Sequence, residues 1–298
     1  MKDVPGNNSL NRAMDLMKEP RDWDNIPSLL KGFKDAKRAM YPKNHARITR
    51  KACMAGRHDI IIECARRVDD TGFRLAALDV VTELMWQLQD KAFKSNWSSK
   101  ETKQALKWAE MVSDLLEDPR HSGSRVVKTN IDPRTRPEVI GVMLQLAAVW
   151  ATRFSDGVDM DQKVARYAAR LLGSKVNVGL DTLQTDEGDP VHYINLYLTH
   201  MVPVLHGMKL AQSILGGSLM ALEERTVELE EAIVAQRQAM LSHLAGHEHP
   251  PQQRFRGLAT YDALIGPEAK KVGPTPKTQK QMARVAALET KIETETVA

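Results

Sequence analysis

Apolar residues recur every three or four positions along most of the chain, from about residue 23 to residue 244. Early in the chain, Trp23, Ile26, Leu30 and Phe33 follow this spacing, and polar residues fill the positions between them. Such spacing places apolar side chains on one face of an amphipathic helix. Gly- and Pro-containing breaks of two to six residues separate the segments, which favours antiparallel hairpins. The pattern predicts an all-α fold.

The same spacing predicts individual helices. We expect the first to begin near Asp24, and a second over 44–55 that ends at Gly56. A third should end at Gly72, and a fourth and a fifth should follow, the fifth opening at the capping-box sequence "SSKE". Later helices are predicted over 138–154, 159–172 and 189–215, the last containing Pro203.

A long helix is predicted from residue 219 to residue 244. Its apolar positions alternate steps of seven and four, which makes a narrow seam at near-heptad spacing, formed by Leu222, Leu229, Ile233, Met240 and Leu244. Two interpretations remain open for this seam. It packs against the chain's own helical domain, or it binds a partner helix as a coiled coil.

Composition changes along the chain suggest five segments. The stretch "EDPRHSGSRVVKTNIDPRTRP" has three prolines and five Arg or Lys, which indicates a loop or a domain boundary. Beyond residue 246 the sequence is rich in Pro, Gln and Lys without an apolar period. The predicted division is a flexible tail 1–20, a helical-repeat region 21–118, a boundary 119–137, a second helical region 138–246, and an extended basic tail 247–298 with a short helix over 280–291.

Charge is distributed unevenly along the chain. The formal net charge is only +4, but the stretch from Lys31 to Arg74 has twelve Lys or Arg against five Asp or Glu. A mild overall excess does not predict nucleic-acid binding, whereas a local cluster of this kind can face phosphate. The two cysteines, Cys53 and Cys64, are too few for a disulfide framework and are expected to be buried thiols in a reducing compartment.

Patterns typical of enzymes, metal sites and membrane proteins are missing or weak. His243 and His247 are four residues apart, but the HExxH order is absent and Gly246 should end the helix. We find no phosphate-binding GK[ST] loop, no Gly-x-Ser-x-Gly elbow, no membrane-length apolar run, and no signal or transit pattern. The sequence therefore predicts no enzyme activity, no cofactor and no metal. An all-α enzyme that combines histidines from distant helices remains a third possibility.

The stretch from about residue 44 to residue 73 has a recognisable layout. Two short helices meet at "AGR", with Gly56 central, while Asp59 opens the second helix and Gly72 closes it. This layout resembles a single pentatricopeptide repeat, and the next helix pair resembles a tetratricopeptide-like hairpin. Repeats of this kind stack and bury a continuous core. The resemblance thus implies a short solenoid, followed by the long C-terminal helix and the extended tail.

The resemblance also implies association with RNA in an organelle, as in accessory proteins of fungal-type mitochondrial ribosomes. The family's base-reading regions fall at 45–47 and 76–78, where the usual polar pair is missing, so contact with the RNA backbone is the more credible mode. The expected contacts are Lys34, Lys37, Arg38, Lys43, Arg47, Arg50, Lys51 and Arg57. The alternative is an ordinary solvated basic face.

These observations lead to one functional prediction and one alternative. We expect a non-catalytic structural component of an RNA–protein assembly, most plausibly a mitochondrial ribosome, with ribosomal RNA and neighbouring ribosomal proteins as partners. No small-molecule substrate is expected. The location would be the mitochondrial matrix, and otherwise the cytoplasm. The alternative is a helical-repeat protein adaptor or assembly factor that does not contact RNA.

Overall fold

A computed structural model describes residues 6–38, 40–123, 126, 132–174, 189–216, 220–245, 255–275 and 278. Within these ranges all regular structure is helical, with no strand, which confirms the all-α prediction. The helices are α1 Asn7–Leu16, α2 Ile26–Asp35, α3 Pro42–Met54, α4 His58–Arg66, α5 Val68–Thr71, α6 Leu78–Lys94, α7 Ser99–Glu117, α8 Pro119–Ser122, α9 Pro137–Phe154, α10 Lys163–Leu172, α11 Pro190–Leu215, α12 Met220–Ala245 and α13 Arg256–Leu264. No helix in the described ranges is long and apolar enough to cross a membrane.

Helix α1 occupies part of the segment that the sequence predicted as a flexible tail. Leu10 and Met14, one turn apart, are buried at 1% and 2% exposure, and α1 packs against α3. A ten-residue helix with two buried apolar positions is too short to be predicted from periodicity, because its stability comes from tertiary packing. A 3-10 turn over Pro20–Asn25 then leads into α2.

The hairpin formed by α3 and α4 follows the predicted layout at Gly56, but its second helix ends at Arg66 and the short helix α5 fills the interval before Gly72. Gly56 adopts a φ of +81° between the two helices, and Gly72 adopts a φ of +67° after α5. Both angles lie in the left-handed region that glycine tolerates, which explains why each helix ends there. Cys53 and Cys64 are free and buried in this hairpin, and burial raises the pKa of the Cys64 thiol to about 12.

The sequence predicts the fourth helix from Phe73, and α6 begins five residues later, at Leu78. The backbone before it has partners outside a helix, since the amide of Phe73 donates to the Thr71 hydroxyl and that of Leu75 donates to Nδ1 of His121. Helix α7 opens as predicted, because the hydroxyl of its N-cap Ser98 accepts from the amide of Glu101 at 3.4 Å.

The second half is built around α9 and α11, which are buried along most of their length. Two glycines let them approach closely, because a Cβ on Gly141 would lie 2.6 Å from Val204, and one on Gly207 would lie 2.8 Å from the backbone of Gln145. Helix α10 begins four residues after the predicted start. The carboxylate of Asp159 instead accepts the first amides of that helix.

Helix α13 lies in the segment predicted as an extended tail. Leu258 and Leu264 are buried at 3% and 8% exposure, and the helix packs against α11. Gly257 permits this contact, because an added Cβ would lie 2.5 Å from the carbonyl oxygen of Asn195. The predicted helix over 280–291 lies outside the described residues.

The helices pack in a regular order. Helix α3 packs on α6, α6 on α9, and α9 on α11, while α6 and α7, α9 and α10, and α11 and α12 pack as consecutive pairs. One hydrophobic cluster extends from Leu10 to Leu264. It continues across the predicted boundary at 119–137, since α9 packs on both α6 and α7.

Candidate nucleic-acid interface

The predicted contact residues begin at the end of α2. Lys37 and Arg38 follow this helix and are exposed, and Lys37 adopts a φ of +52° in the turn. Lys34 is also exposed, and its ammonium donates to the backbone carbonyl of Asp69 beyond α5. That bond fixes the side chain but leaves its charge uncompensated, so all three cations contribute positive potential to this end of the molecule.

Four further predicted residues lie on α3. Successive members of this set are four, three and one residues apart, so all four occupy one side of the helix: Lys43, Arg47, Arg50 and Lys51. Lys43 is exposed, and its Nζ lies 5.9 Å from the ring centroid of Tyr41. We use the name basic face for this side of α3 together with Lys34, Lys37 and Arg38, which come shortly before it in the chain.

Acidic side chains from α1 and α6 partly neutralise the basic face. Asp15 of α1 accepts from Lys51 and lies 3.9 Å from Arg47, and the hydrogen bond from Lys51 lowers the pKa of Asp15. Arg50 lies 3.4 Å from Glu83 of α6. Lys37, Arg38 and Lys43 have no acidic partner within ion-pair distance among the described residues, so they are the most available cations.

Arg57, the last of the predicted contact residues, is held by hydrogen bonds within the chain. Its guanidinium donates to Asp24 at 2.6 Å, to Asp59 at 2.9 Å and to the carbonyl of Pro20 at 2.7 Å. These carboxylates raise its pKa, and its side chain is only 18% exposed. The bonds join the α3–α4 junction to the 3-10 turn before α2. The Asp59 contact is local and visible in the sequence, whereas the Asp24 contact depends on the fold.

Two of the positions where a pentatricopeptide repeat reads bases, His45 and Ala46, are buried. His45 is 9% exposed, its ring centroid lies 5.0 Å from that of Phe73, and burial lowers its pKa to about 4. Ala46 is 6% exposed. A neutral, packed histidine at this position cannot read a solvent-side base.

A cleft adjoins the basic face between α3, α6 and α11. Its cavity of about 440 Å³ has Lys43 and Arg50 on the α3 side. Arg256 of α13 closes one end, donating to both carboxylate oxygens of Glu83 at 2.9 and 2.8 Å and lying 4.3 Å from the Trp86 ring centroid.

The charges in this cleft depend on each other. Burial alone would raise the pKa of Glu83, but the hydrogen bonds and charge of Arg256, with Gln87 and Arg50, hold it below its ordinary value. A second pair lies at the start of α9, where Arg136 donates to Glu138 at 3.0 and 2.5 Å and both side chains are under a tenth exposed. Arg256 therefore keeps Glu83 ionised, and Arg136 pairs with Glu138.

Comparison with known proteins identifies the family. Residues 1–263 match the family described as "Mrp13: Mitochondrial ribosomal protein mS27". The chain belongs to the mS27 family. A curated protein, "Small ribosomal subunit protein mS27" of Neurospora crassa, is 34% identical over 158 residues, which are 51% of this chain and 39% of that protein. The match therefore spans about two fifths of the relative's length.

The apolar seam of α12 is an internal contact in this mS27-family chain. Its five positions, Leu222, Leu229, Ile233, Met240 and Leu244, are at most 9% exposed, and α12 packs on α11 and α10. Of the two interpretations of the seam, the structure therefore shows packing on the chain's own helices. Exposed apolar side chains lie elsewhere on α12, at Met220, Val227 and Val234.

The histidines do not assemble into a metal site within the described ranges, which contain no group of three or more His, Cys, Asp or Glu in metal-binding proximity. His206 is buried against Gln145 at 2.9 Å and stacks on Trp97, so its role is packing. His243 is exposed, and His247 lies outside the described residues.

Sequence reasoning missed the cleft next to the basic face. Glu83 and Arg256 are 173 residues apart, and no local spacing relates them. Arg136 lies in the stretch that the sequence analysis assigned to a loop or a domain boundary. The one signal available in the sequence was Glu83, which interrupts the apolar stripe of α6. An ionised carboxylate is rarely buried without a cationic partner, so this position indicates a nearby cation.

Proposed function

We propose that this chain is a non-catalytic structural component of the mitochondrial small ribosomal subunit and acts in the mitochondrial matrix. The observation that carries this proposal is the family match, which covers residues 1–263. The name of the Neurospora crassa relative supports the assignment to the small subunit. Ribosomal RNA and neighbouring ribosomal proteins are then its partners.

The basic face is proposed to contact the RNA backbone. Lys34, Lys37, Arg38 and Lys43 are exposed, and Arg47, Arg50 and Lys51 extend the positive charge along α3. Cations of this kind bind phosphates without reading sequence, and binding releases condensed counterions. We exclude Arg57 from the contact set, because its guanidinium is already bound to two aspartates and a carbonyl.

The proposed architecture is a short stack of helical hairpins related to pentatricopeptide and tetratricopeptide repeats. The left-handed glycines at Gly56 and Gly72 and the consecutive pairs α6–α7 and α9–α10 support it. Contacts between the first helices of successive pairs, α3, α6 and α9, are those expected when hairpins stack side by side.

A charge-reversal experiment tests the RNA contact. Changing Lys37, Arg38 and Lys43 to Glu removes exposed cations that make no ion pair in the described structure. A matched control changes Arg74, Lys100 and Lys107, which are also exposed and lie outside the basic face, so the net charge falls equally. We expect only the first variant to lose binding to ribosomal RNA fragments and incorporation into small subunits.

The two variants separate the possible results clearly. Equal loss in both would show that only net charge matters and would remove the basic face as a specific surface. Retained incorporation of both, together with partners that survive nuclease treatment, would favour the adaptor without RNA contact. Raising the salt concentration is a second test between RNA contact and the adaptor, because salt weakens contacts with phosphate but has little effect on apolar protein interfaces.

A further inference from the structure

The cleft beside the basic face contains two buried polar atoms without partners. The hydroxyl of Tyr197 and Nε2 of His200 have no hydrogen-bond partner among the described residues, although both side chains line the cavity. Tyr197 is 2% exposed. A buried polar atom without a partner destabilises the folded chain, so such a pair in one cavity indicates a bound ligand or ordered water.

Both residues lie on one side of α11, three positions apart, and act as neutral groups. Burial lowers the pKa of His200 to about 4, and burial raises the pKa of Tyr197 to about 12. Each can therefore donate or accept a hydrogen bond near neutral pH. This chemistry suits the nitrogen and oxygen atoms on the edge of a heterocyclic base.

The remaining walls combine apolar surface with a small positive excess. Apolar contacts are available from Leu78, Leu196 and Met201. The charged side chains around the cavity are four cations and three acids, namely Lys43, Arg50, Arg136, Arg256, Asp79, Glu83 and Glu138. A net excess of one positive charge matches the single negative charge that one phosphodiester carries.

We propose that this cleft binds one unpaired nucleotide, with the base against Tyr197 and His200 and the phosphate near Lys43 and Arg50. This inference rests on the proposed RNA contact, and it adds a base-binding site to a surface otherwise expected to bind only the backbone. A cavity of about 440 Å³ is within the roughly 300–1,000 Å³ of small-ligand sites, and unstacked bases are the usual targets of RNA-binding proteins.

A second cavity shows where the adjoining strand can continue. It has a volume of about 410 Å³ and shares Arg50, His192, Leu196 and Arg256 with the first, so the two cavities adjoin at these residues. Lys94 and the indole of Trp86 line its far side. Lys94 is paired there with Asp90 at 2.6 Å, so a strand leaving the first cavity meets a paired cation and the aromatic ring that Arg256 covers.

Two tyrosine variants test the base site. Tyr197→Phe removes only a hydroxyl without a protein partner, so we expect unchanged or higher thermal stability. Tyr167→Phe is the matched control, because the Tyr167 hydroxyl donates to Glu110 at 2.6 Å on α7 and its loss should lower thermal stability. The probes are a short single-stranded oligoribonucleotide, the same strand with one abasic position, and free nucleoside monophosphates.

We expect the two variants to differ in whether they distinguish the intact strand from the abasic strand. Wild type and Tyr167→Phe bind the intact strand more tightly than the abasic strand, whereas Tyr197→Phe loses about fivefold affinity for the intact strand and no longer distinguishes the two. Equal binding of both strands by wild type would overturn the base site and leave the backbone contact standing. The base site would also be overturned, with the backbone contact left standing, if Tyr197→Phe bound both strands as wild type does. In that case water alone occupies the cavity.

Two further results separate this inference from the proposed function. If wild type binds neither strand and the basic-face reversal changes nothing, the RNA contact itself is wrong and the base site falls with it. If monophosphates bind in a Tyr197-dependent way while RNA does not, the cleft takes a free nucleotide, and RNA is overturned as the source of the base.

Discussion

Replacing Gly207 by alanine should weaken the packing of α11 on α9. A Cβ at this position would lie 2.8 Å from both the nitrogen and the Cα of Gln145. Ordinary Cβ contacts begin near 3.4 Å, so the two helices must separate by about 0.6 Å. The obstacle is backbone, which cannot move aside by a rotamer change.

The magnitude follows from two opposing effects. Overpacking a core of this kind costs about 1–3 kcal/mol, while alanine regains up to about 1 kcal/mol of helix propensity over glycine. We therefore expect Gly207→Ala to lower the free energy of unfolding by about 1 kcal/mol, within a range of about 0–2 kcal/mol. The matched control is Gly32→Ala in α2, where an added Cβ meets nothing within 4 Å. That variant should gain about 0.5–1 kcal/mol.

Chemical denaturation of both variants measures the difference directly. The account predicts a lower midpoint for Gly207→Ala and a higher one for Gly32→Ala, with similar slopes, because neither change alters the surface exposed on unfolding. A Gly207→Ala protein as stable as Gly32→Ala would show that α9 and α11 do not approach this closely. The close pairing of these two helices at the centre of the fold would then be wrong.

Three other predictions can be checked on the same purified chain. Arg256→Met should lower the free energy of unfolding by about 3 kcal/mol, because it leaves Glu83 buried without its main partner. Adding Glu83→Leu should restore part of that loss. No recovery would argue against a direct pair. Arg57→Ala should lower stability by about 2 kcal/mol without weakening RNA affinity, and a large affinity loss would return Arg57 to the contact surface. Burial lowers the pKa values of His45 and His206 to about 4, so the unfolded chain binds more protons than the folded chain below pH 6.5. Stability should be full above pH 6.5 and fall towards pH 4 by up to about 1.4 kcal/mol per pH unit for each histidine. Denaturation midpoints that do not change between pH 7.5 and pH 5 would contradict this burial.

Long apolar periodicity made the main helices predictable from the sequence. Helix α9 was expected over 138–154 and observed over Pro137–Phe154, because its apolar positions continue for several turns. Glycines that need a positive φ gave the ends of the early helices, as at Gly56. Short elements were missed, since α1 and α13 have too few apolar positions to be recognised before their docking surfaces are known.

The candidate site was only partly predictable for a related reason. The basic face consists of residues close in sequence, and Lys43 and Arg50 could be placed on one side of a helix by spacing alone. The cleft unites residues from α3, α6, α9, α11 and α13, and its key pair joins Glu83 to Arg256. Such pairing is a product of tertiary structure. The hydrogen bonds from Arg57 to Asp24 and Pro20 could not be predicted for the same reason.

The most direct test of ribosomal membership is purification of the chain from its native source, followed by gradient sedimentation with and without ribonuclease. The account predicts that the chain migrates with the small ribosomal subunit, that ribosomal RNA and ribosomal proteins accompany it, and that nuclease shifts it to smaller particles. A small complex that lacks RNA and keeps its migration after nuclease would contradict the account and favour the adaptor.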